Sequence, residues 1–225
     1  MKFRSLLITL FGLALAPALL AQDMPAATFI VGDQWTYREI DPLTKIETGQ
    51  WTETVTSVDA AEYWIDSQRK ARTWWRGDAA TQFHREQFSF SAGAEKQRGK
   101  SIAGNDGGCA YPSPLKVGTK FECTEMVAFL NGRISRFDLK FEVEVAEKLE
   151  TAAGRFDTLG LVASSCATNL SNAQASPKGN RHERVIWLAP AVKREVKHEI
   201  RTRVNQGAPF CVEGRELVAF KSGGR

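Results

Sequence analysis

The stretch "LKFEVEV" (residues 139–145) predicts the fold of this chain more directly than any other. Apolar and charged residues alternate along all seven of its positions. In a β-strand successive side chains point to opposite faces, so the apolar set would lie on one face and the charged set on the other. The apolar set is Leu139, Phe141, Val143 and Val145. This pattern predicts a strand of an antiparallel sheet with one buried and one solvated face.

A second stretch, "VKREVKHEIRTRV" (residues 192–204), allows two interpretations. Its apolar residues recur at every fourth position, which fits a helix stripe, and the preceding Pro190 could open a helix. As a strand, it places Arg194, His198 and Thr202 on the apolar face and leaves the other face wholly charged. The β-branched residues and the strand-like neighbours favour a strand, in a hairpin that turns near Pro190.

Strand patterns also dominate the rest of the chain, and no long helical pattern follows the first 21 residues. The segments are "QWTYREI" (34–40), "WTETVTSV" (51–58), "TWWRGDAATQF" (73–83), "FDTLGLVASS" (156–165) and "GRELVAFKS" (214–222). The third reads as two strands about a Gly77-Asp78 turn. We therefore predict an all-β protein whose antiparallel strands form a curved meander.

A weak internal repeat divides the chain. "FIVGDQWTYRE" (29–39) resembles "PLKVGTKFECTE" (114–125), with Val-Gly-x-x-aromatic aligned in both. We expect two weakly similar β halves, residues 22–108 and 109–225, joined as one continuous domain. One large curved sheet and two stacked sheets both remain possible arrangements.

Residues 1–21 have the pattern of a secretory signal peptide, with Lys2 and Arg4 before an apolar run and Ala21 as the last residue before cleavage. An uncleaved membrane anchor is the alternative. The apolar run of residues 6–21 contains Pro17, and it is shorter than the about 20 residues that a membrane span needs. The first cysteine is Cys109, so no lipid-anchor cysteine lies near the cleavage site. We therefore expect a soluble, exported chain without a membrane span after cleavage.

The charge balance excludes one class of partner. The leader would remove two of the 30 Lys and Arg residues, leaving 28 against 26 Asp and Glu. Nucleic-acid binding proteins carry a strong basic excess, so no nucleic-acid partner is predicted.

Four cysteines remain: Cys109, Cys123, Cys166 and Cys211. Disulfides persist in exported proteins, and an even count predicts two bridges among three possible connectivities. Since 13, 42 and 44 residues separate successive cysteines, the close pairs of a zinc site are missing. We prefer Cys109–Cys123 and Cys166–Cys211.

The histidines and tryptophans supply candidate ligand sites. A hairpin symmetric about Pro190 would set His182 opposite His198, close enough to share a metal ion; two solvent-side imidazoles are the alternative. Six tryptophans could stack on a ligand or fill the core. The candidate ligand-binding residues are Trp35, Trp64, Trp74 and Trp75.

Several catalytic motifs are incomplete or missing. "GKS" (99–101) lacks the first glycine of a phosphate-binding loop, since Ala94 stands at that position. Ser-x-x-Lys occurs at Ser67 and Ser113, but without the companion motifs of penicillin-recognising enzymes. Neither Gly-x-Ser-x-Gly nor His-Glu-x-x-His occurs. No enzymatic activity and no cofactor are predicted.

Three segments resemble a known group of proteins. "AGRFDTLGL" (153–161), "VIWLAPAVKREVKHE" (185–199) and "ELVAF" (216–220) together are similar to uncharacterised exported bacterial β-proteins that are classed as a domain of unknown function. "VGDQWTY" (31–37) fits their opening strand. The resemblance covers most of the chain after the leader, and it implies an antiparallel β fold in a Gram-negative envelope and no activity.

The sequence thus predicts a non-catalytic periplasmic or secreted protein. Its expected task is to bind an apolar, lipid-like ligand or an envelope protein partner. A metal-assisted or sugar-acting hydrolase and a structural accessory protein without a small ligand are the alternatives.

Overall fold

The structure is a computed structural model that describes eleven backbone ranges of the chain. They are residues 23–25, 27–41, 44–58, 62–72, 79–91, 94–98, 105–106, 111–128, 134–169, 181–203 and 210–224. The predicted signal peptide, Trp74, Trp75 and Cys109 lie outside these ranges. Within them no helix is long and apolar enough to span a membrane.

The described chain forms a single antiparallel sheet of 12 strands. The strands are β1 (Gln34–Ile40), β2 (Glu47–Val58), β3 (Glu62–Arg72), β4 (Ala79–Ser91), β5 (Ala94–Arg98), β6 (Asn105–Asp106), β7 (Lys120–Ala128), β8 (Ile134–Thr151), β9 (Gly154–Asn169), β10 (Arg181–Ala189), β11 (Arg194–Arg203) and β12 (Phe210–Lys221). A single 3₁₀ turn (Pro190–Val192) interrupts the described strands. The prediction of an all-β antiparallel meander is confirmed.

The strand order is β5-β4-β3-β2-β1-β12-β11-β10-β9-β8-β7-β6. Strands β1–β5 and strands β6–β12 each form a meander of sequential neighbours, and β1 joins the two meanders by pairing with β12. The short strand β6, which belongs to the predicted first half, pairs with β7 of the second. The order therefore favours the single-sheet arrangement over two stacked sheets, and it brings the first and last described strands together in the middle.

Residues 192–204 begin in the turn and continue as β11, so the strand interpretation is confirmed over Arg194–Arg203. The hairpin turns through Pro190–Val192 and Lys193, which has a φ of 66°. Ala189 pairs with Arg194 across the turn. Val192, Val196 and His198 are buried, as the alternation predicts.

The prediction for residues 139–145 is correct for three of its four apolar residues. Leu139, Phe141 and Val143 are buried in β8. Val145 is 41% exposed, because the register between β8 and β9 shifts between Val143 and Val145. Such a bulge inserts an extra residue and reverses the facing of the next side chains.

The internal repeat has a counterpart in local structure. Gly32 donates its N–H to the carbonyl of Val55 (2.8 Å), and Gly118 donates to the carbonyl of Val143 at the same distance. Both glycines have a positive φ, 90° and 85°, a conformation that glycine adopts without a steric penalty. The sheet register also shifts just after each partner valine, between Val55 and Ser57 and between Val143 and Val145. The two Val-Gly segments therefore build the same turn before the same bulge.

The buried apolar side chains that the structure describes form two clusters. The first contains Phe29, Trp35, Tyr37, Val55, Tyr63, Ile65, Ala189, Val192, Val196 and Leu217. The second contains Met24, Leu115, Leu139, Phe141, Val143, Leu159, Leu161, Ala163, Ile186 and Leu188. The segment before β1 connects them, since Met24 lies in the second cluster and Phe29 in the first. We call the sheet face that carries Trp35, Tyr37 and Leu139 the inner face.

Candidate functional site

A group of polar side chains interrupts the apolar inner face near the junction of the two halves. It consists of Tyr37 on β1, Glu53 on β2, Arg194, Glu195 and His198 on β11, and Arg215 on β12, and we call it the charge cluster. The exposed fraction of its charged side chains and His198 ranges from 10% for His198 to 30% for Arg215. Charges are rarely buried to this degree without partners.

Arg194 connects opposite sides of the junction. Its guanidinium pairs with the carboxylate of Glu53 and lies 5.0 Å from the ring centroid of Trp35. In the strand order β11 and β2 are three spacings apart, or about 14 Å along the sheet at about 4.8 Å per strand. A side-chain pair across that span is expected on the concave face of a curved sheet.

Glu195 contacts two further side chains of the charge cluster, Arg215 and His198. Its carboxylate pairs with Arg215, and its second oxygen lies 3.7 Å from Nδ1 of His198. That separation is longer than a hydrogen bond. The Tyr37 hydroxyl donates to the backbone carbonyl of Glu195 at 3.0 Å. The cluster is therefore tied to both the side chain and the backbone of β11.

Two nitrogen atoms of the charge cluster lack a protein partner. His198 Nε2 and Arg215 Nε are buried and make no hydrogen bond. His198 and Arg215 are directly paired across β11 and β12, so their Cβ atoms lie about 5 Å apart on the same face. Unpaired buried polar atoms are uncommon in folded proteins and each calls for an explanation.

The surroundings determine the protonation states. Burial lowers the pKa of His198 well below its usual value, and the charges of Arg215 and Arg184 lower it further against the opposing effect of Glu199. The imidazole is therefore uncharged at neutral pH. Burial alone would lower the pKa of Arg215, but Glu195 and Glu53 raise it above its usual value, so this guanidinium stays charged. Burial raises the pKa of Tyr37.

A separate buried carboxylate, Asp33, fastens three segments together. It accepts hydrogen bonds from Lys193 Nζ (2.6 Å), the backbone N–H of Gly223 (2.9 Å) and the backbone N–H of Ile30 (3.0 Å). Burial alone would raise the pKa of Asp33, but these hydrogen bonds and the charge of Lys193 lower it. Asp33 joins the turn before β1, the β10–β11 turn and the end of β12, so its role is structural.

The predicted histidine pair does not form. His198 pairs with Ile186, and His182 pairs with Thr202. The hairpin is centred beyond Pro190 and has a register shift between Trp187 and Leu188, which displaces the partner by four positions from the predicted one. At about 3.3 Å per residue the two histidines stand roughly 13 Å apart along the strands. Among the described side chains no group of three or more potential ligands could hold a metal ion.

The predicted tryptophan set is not gathered into one surface. Trp35 is fully buried, and its indole N–H donates to the carbonyl of Val192 at 2.7 Å, so it is a core residue. Trp64 alternates with the buried Tyr63 and Ile65 and therefore faces away from them. Trp74 and Trp75 lie outside the described residues.

A tryptophan that the prediction omitted lies beside the charge cluster. Trp51 is only partly buried, stacks on Tyr37 with a centroid distance of 5.4 Å, and donates to a carboxylate oxygen of Glu53 at 3.0 Å. The sequence did contain a signal for the cluster itself, because Arg194 and His198 fall on the apolar face of the alternating stretch. Glu53 and Arg215 have no comparable signal, since their meeting depends on strand order.

Among the cysteines, Cys123 is disulfide-bonded, while the side chains of Cys109, Cys166 and Cys211 lie outside the described residues. The register limits the pairing. Cys166 is on β9 and Cys211 on β12, three spacings apart, or about 14 Å along the sheet. A disulfide needs Cα atoms within about 7 Å, so the preferred Cys166–Cys211 bridge does not fit this register.

The opposite, outer face carries an open groove of about 570 Å³ over β7, β8 and β9. Most of its lining is charged: Lys120, Glu122, Lys140, Glu142 and Glu144, with Phe121, Phe141, Val162 and Ser164 completing it. The charges pair across strands, Lys120 with Glu142 at 3.0 Å and Lys140 with Glu122 at 3.2 Å. Charged side chains therefore make up most of the lining of this groove, and four of them are held in cross-strand ion pairs.

Two solved structures have a similar fold. One is described as an exported protein with a YmcC-like fold from Bacteroides fragilis; it has a TM-score of 0.63 and 13% identity, and the match covers 88% of this chain and all of that one. The other is described as a lipoprotein from Parabacteroides distasonis, with a TM-score of 0.61, 11% identity, 89% of this chain and all of that one. No family model and no curated protein matches the chain. At this identity the likeness concerns the fold.

Proposed function

We propose that this chain is an exported, non-catalytic binding protein that holds an apolar or amphipathic ligand on the inner face of its sheet. One observation carries the proposal: on the inner face, the partly exposed ring of Trp51 lies next to the charge cluster. The ring and the cluster together offer an apolar surface beside oriented polar groups, as small-molecule sites commonly do.

Export is part of the same proposal. The signal-peptide pattern of residues 1–21 supports it, and so do the descriptions of the two fold neighbours as an exported protein and a lipoprotein. A location in the periplasm or outside a Gram-negative cell follows from the sequence resemblance.

The register of β10 and β11 weakens the metal-assisted form of the hydrolase alternative. A metal-assisted hydrolase was expected to use His182 and His198 together, and the β10–β11 register separates them. A protein partner remains a second candidate, because the outer groove over β7–β9 presents alternating, mostly exposed charges that a polar peptide could pair with.

Native mass spectrometry of the protein, expressed with its leader and purified oxidised from a bacterial periplasm, tests the proposal. We expect a stoichiometric apolar adduct on a chain cleaved after Ala21. The adduct should decrease in a Trp51→Ala variant and persist in a Lys140→Ala variant, which changes only the outer groove. A bare protein that also binds no added amphiphile would contradict inner-face carriage and favour the protein-partner alternative.

A further inference from the structure

The charge cluster has more hydrogen-bonding capacity than the protein uses. His198 Nε2 and Arg215 Nε are both buried and unpartnered, and the two side chains are direct cross-strand neighbours. Both nitrogen atoms belong to side chains that β11 and β12 hold on the same face. Rigid strands position such groups more precisely than loops do.

Part of the Arg215 side chain reaches the protein surface. The Arg215 side chain is 30% exposed although its Nε atom is buried. The ion pair with Glu195 holds the Arg215 guanidinium in place, so its orientation is set before a ligand binds. Preorganised donors of this kind lose little entropy when they bind.

The electrostatic surroundings favour negative charge at this point. Arg184 pairs with Ile200, two residues from His198, and so lies on its diagonal. Arg184 and Arg215 both act on the imidazole as positive charges, with Glu199 in the opposite sense. The carboxylate of Glu195 lies on the Nδ1 side of the ring, beyond hydrogen-bond distance, which leaves the Nε2 side under the influence of the arginines.

We propose that His198 and Arg215 form the head-group subsite for an anionic amphiphile, with a carboxylate or phosphate oxygen accepting hydrogen bonds from His198 Nε2–H and Arg215 Nε–H. The apolar part of the ligand lies towards Trp51. The inference rests on the proposed inner-face ligand and specifies its chemical class. Hydrogen bonds to an ionised acceptor are about twice as strong as neutral ones, so the head group contributes selectivity.

Calorimetric titration of the oxidised protein with dodecanoate, dodecyl phosphate and dodecanol tests the subsite, because the three probes share one chain. We expect both anions to bind about tenfold more tightly than the alcohol. His198→Leu, which removes the ring donor, and Arg215→Lys should each lower the affinity for the anions to that for the alcohol; the lysine keeps a positive charge for Glu195 but lacks the Nε donor. Arg201→Gln, which removes a partly exposed cation of the same strand from the outer face, should leave the three affinities unchanged.

Nitrogen NMR of the three histidines gives a readout that needs no variant to fold. Dodecanoate should move the chemical shift of His198 Nε2 to the value of a protonated, hydrogen-bonded nitrogen. The shifts of His84 and His182 should stay unchanged. Equal binding of acid and alcohol without that shift would overturn the subsite and leave the proposed function standing. No binding of any probe would overturn both, and inorganic phosphate binding as tightly as dodecyl phosphate would overturn the amphiphile assignment.

Discussion

Asp33 shows how a single buried charge can hold separate parts of this chain together. Its carboxylate receives hydrogen bonds from residues that are far apart in sequence, Lys193 and Gly223, as well as from its neighbour Ile30. Removing one partner of a buried ion pair leaves the other charge uncompensated. The three segments that meet at Asp33 should therefore depend on it for stability.

We expect Asp33→Asn to destabilise the protein by about 3 kcal/mol, since it leaves Lys193 without its carboxylate. Urea unfolding at neutral pH measures the change. Asp157→Asn is the matched control, because Asp157 pairs with Lys148 at an exposed position where an ion pair contributes less than about 1 kcal/mol. Equal losses in the two variants would contradict the role of Asp33.

The lowered pKa of His198 makes the stability of the protein depend on pH. Its folded-state pKa lies well below the ordinary 6.5, so the unfolded chain binds the proton more readily than the folded chain. The folded state is therefore favoured in full above pH 6.5, and stability declines as the pH falls below that value, by at most about 1.4 kcal/mol per pH unit. Unfolding free energies measured between pH 7 and pH 5 should show this slope.

The contribution of His198 to that slope can be isolated with His198→Gln, which cannot be protonated. The facing groups that titrate or carry charge are Arg184, Arg215, Glu195 and Glu199, and they remain in the variant. The slope should become flatter in the variant by up to the same amount per pH unit. An unchanged slope would assign the pH dependence to other groups.

Gly223 and Gly118 require glycine for different reasons, the first because of close packing and the second because of its backbone conformation. A Cβ at Gly223 would lie 2.6 Å from the nitrogen of Asp33 and 2.7 Å from the carbonyl carbon of Gly32, whereas one at Gly118 would meet nothing within 4 Å. Gly118→Ala should cost only the strain of its positive φ, about 1 kcal/mol. Gly223→Ala forces backbone to move and should cost more, as thermal unfolding of the two variants would show. A smaller loss at Gly223 would contradict the packing of the chain end on Asp33.

At the scale of the strand, the bulge in β8 decides which valine belongs to the core. Val143 is fully buried and Val145 is 41% exposed, although the alternating sequence places them on one face. We expect Val143→Ala to cost about 2 kcal/mol, because it removes buried methyl groups and leaves a cavity. Val145→Ala should stay within about 0.5 kcal/mol, as exposed substitutions do. Chemical denaturation of both variants measures the difference, and equal losses would mean that the bulge is absent in solution.

The same bulge illustrates why the element scale was only partly predictable. Alternation with period two is a local property, and it identified β1, β8, β11 and β12 from short stretches of sequence. A bulge adds one residue without a distinctive sequence mark, so the predicted facing of Val145 was wrong. The predicted partner of His198 was wrong chiefly because the hairpin turns beyond Pro190, and the bulge in β11 added one further position. The Val-Gly repeat was visible in the sequence because the positive φ at Gly32 and Gly118 restricts the residue type.

At the scale of the whole molecule, the pairing of β6 with β7 makes a specific prediction about the disulfides. Asn105 pairs with Val127, and Asp106 pairs with Met126. In both pairs the two residue numbers add up to 232. The rings of Tyr111 and Phe121, which have the same sum, lie 5.7 Å apart. Continuing this register would place position 109 opposite Cys123, which is disulfide-bonded. We therefore propose Cys109 as its partner.

Peptide mapping without reduction should recover Cys109 linked to Cys123. Reducing this bridge should lower the free energy of unfolding by about 3 kcal/mol, the value expected for a closed loop of about 15 residues. A Cys109→Ala, Cys123→Ala double variant should show the same loss without reductant. Recovery of Cys123 linked to Cys166 or Cys211 would contradict the register of β7, β8 and β9.

The sequence by itself determined the class of this protein and the identity of most of its strands. Side chains in a strand alternate between faces, so a chain that must bury one face of a sheet records that requirement in every short segment. Tertiary structure alone decided the pairing of β1 with β12 and the register of β10 with β11. It also decided the meeting of Arg194 with Glu53 and of His198 with Arg215. These contacts join residues far apart in the chain through strand order, bulges and the curvature of the sheet, and no local pattern encodes such distances.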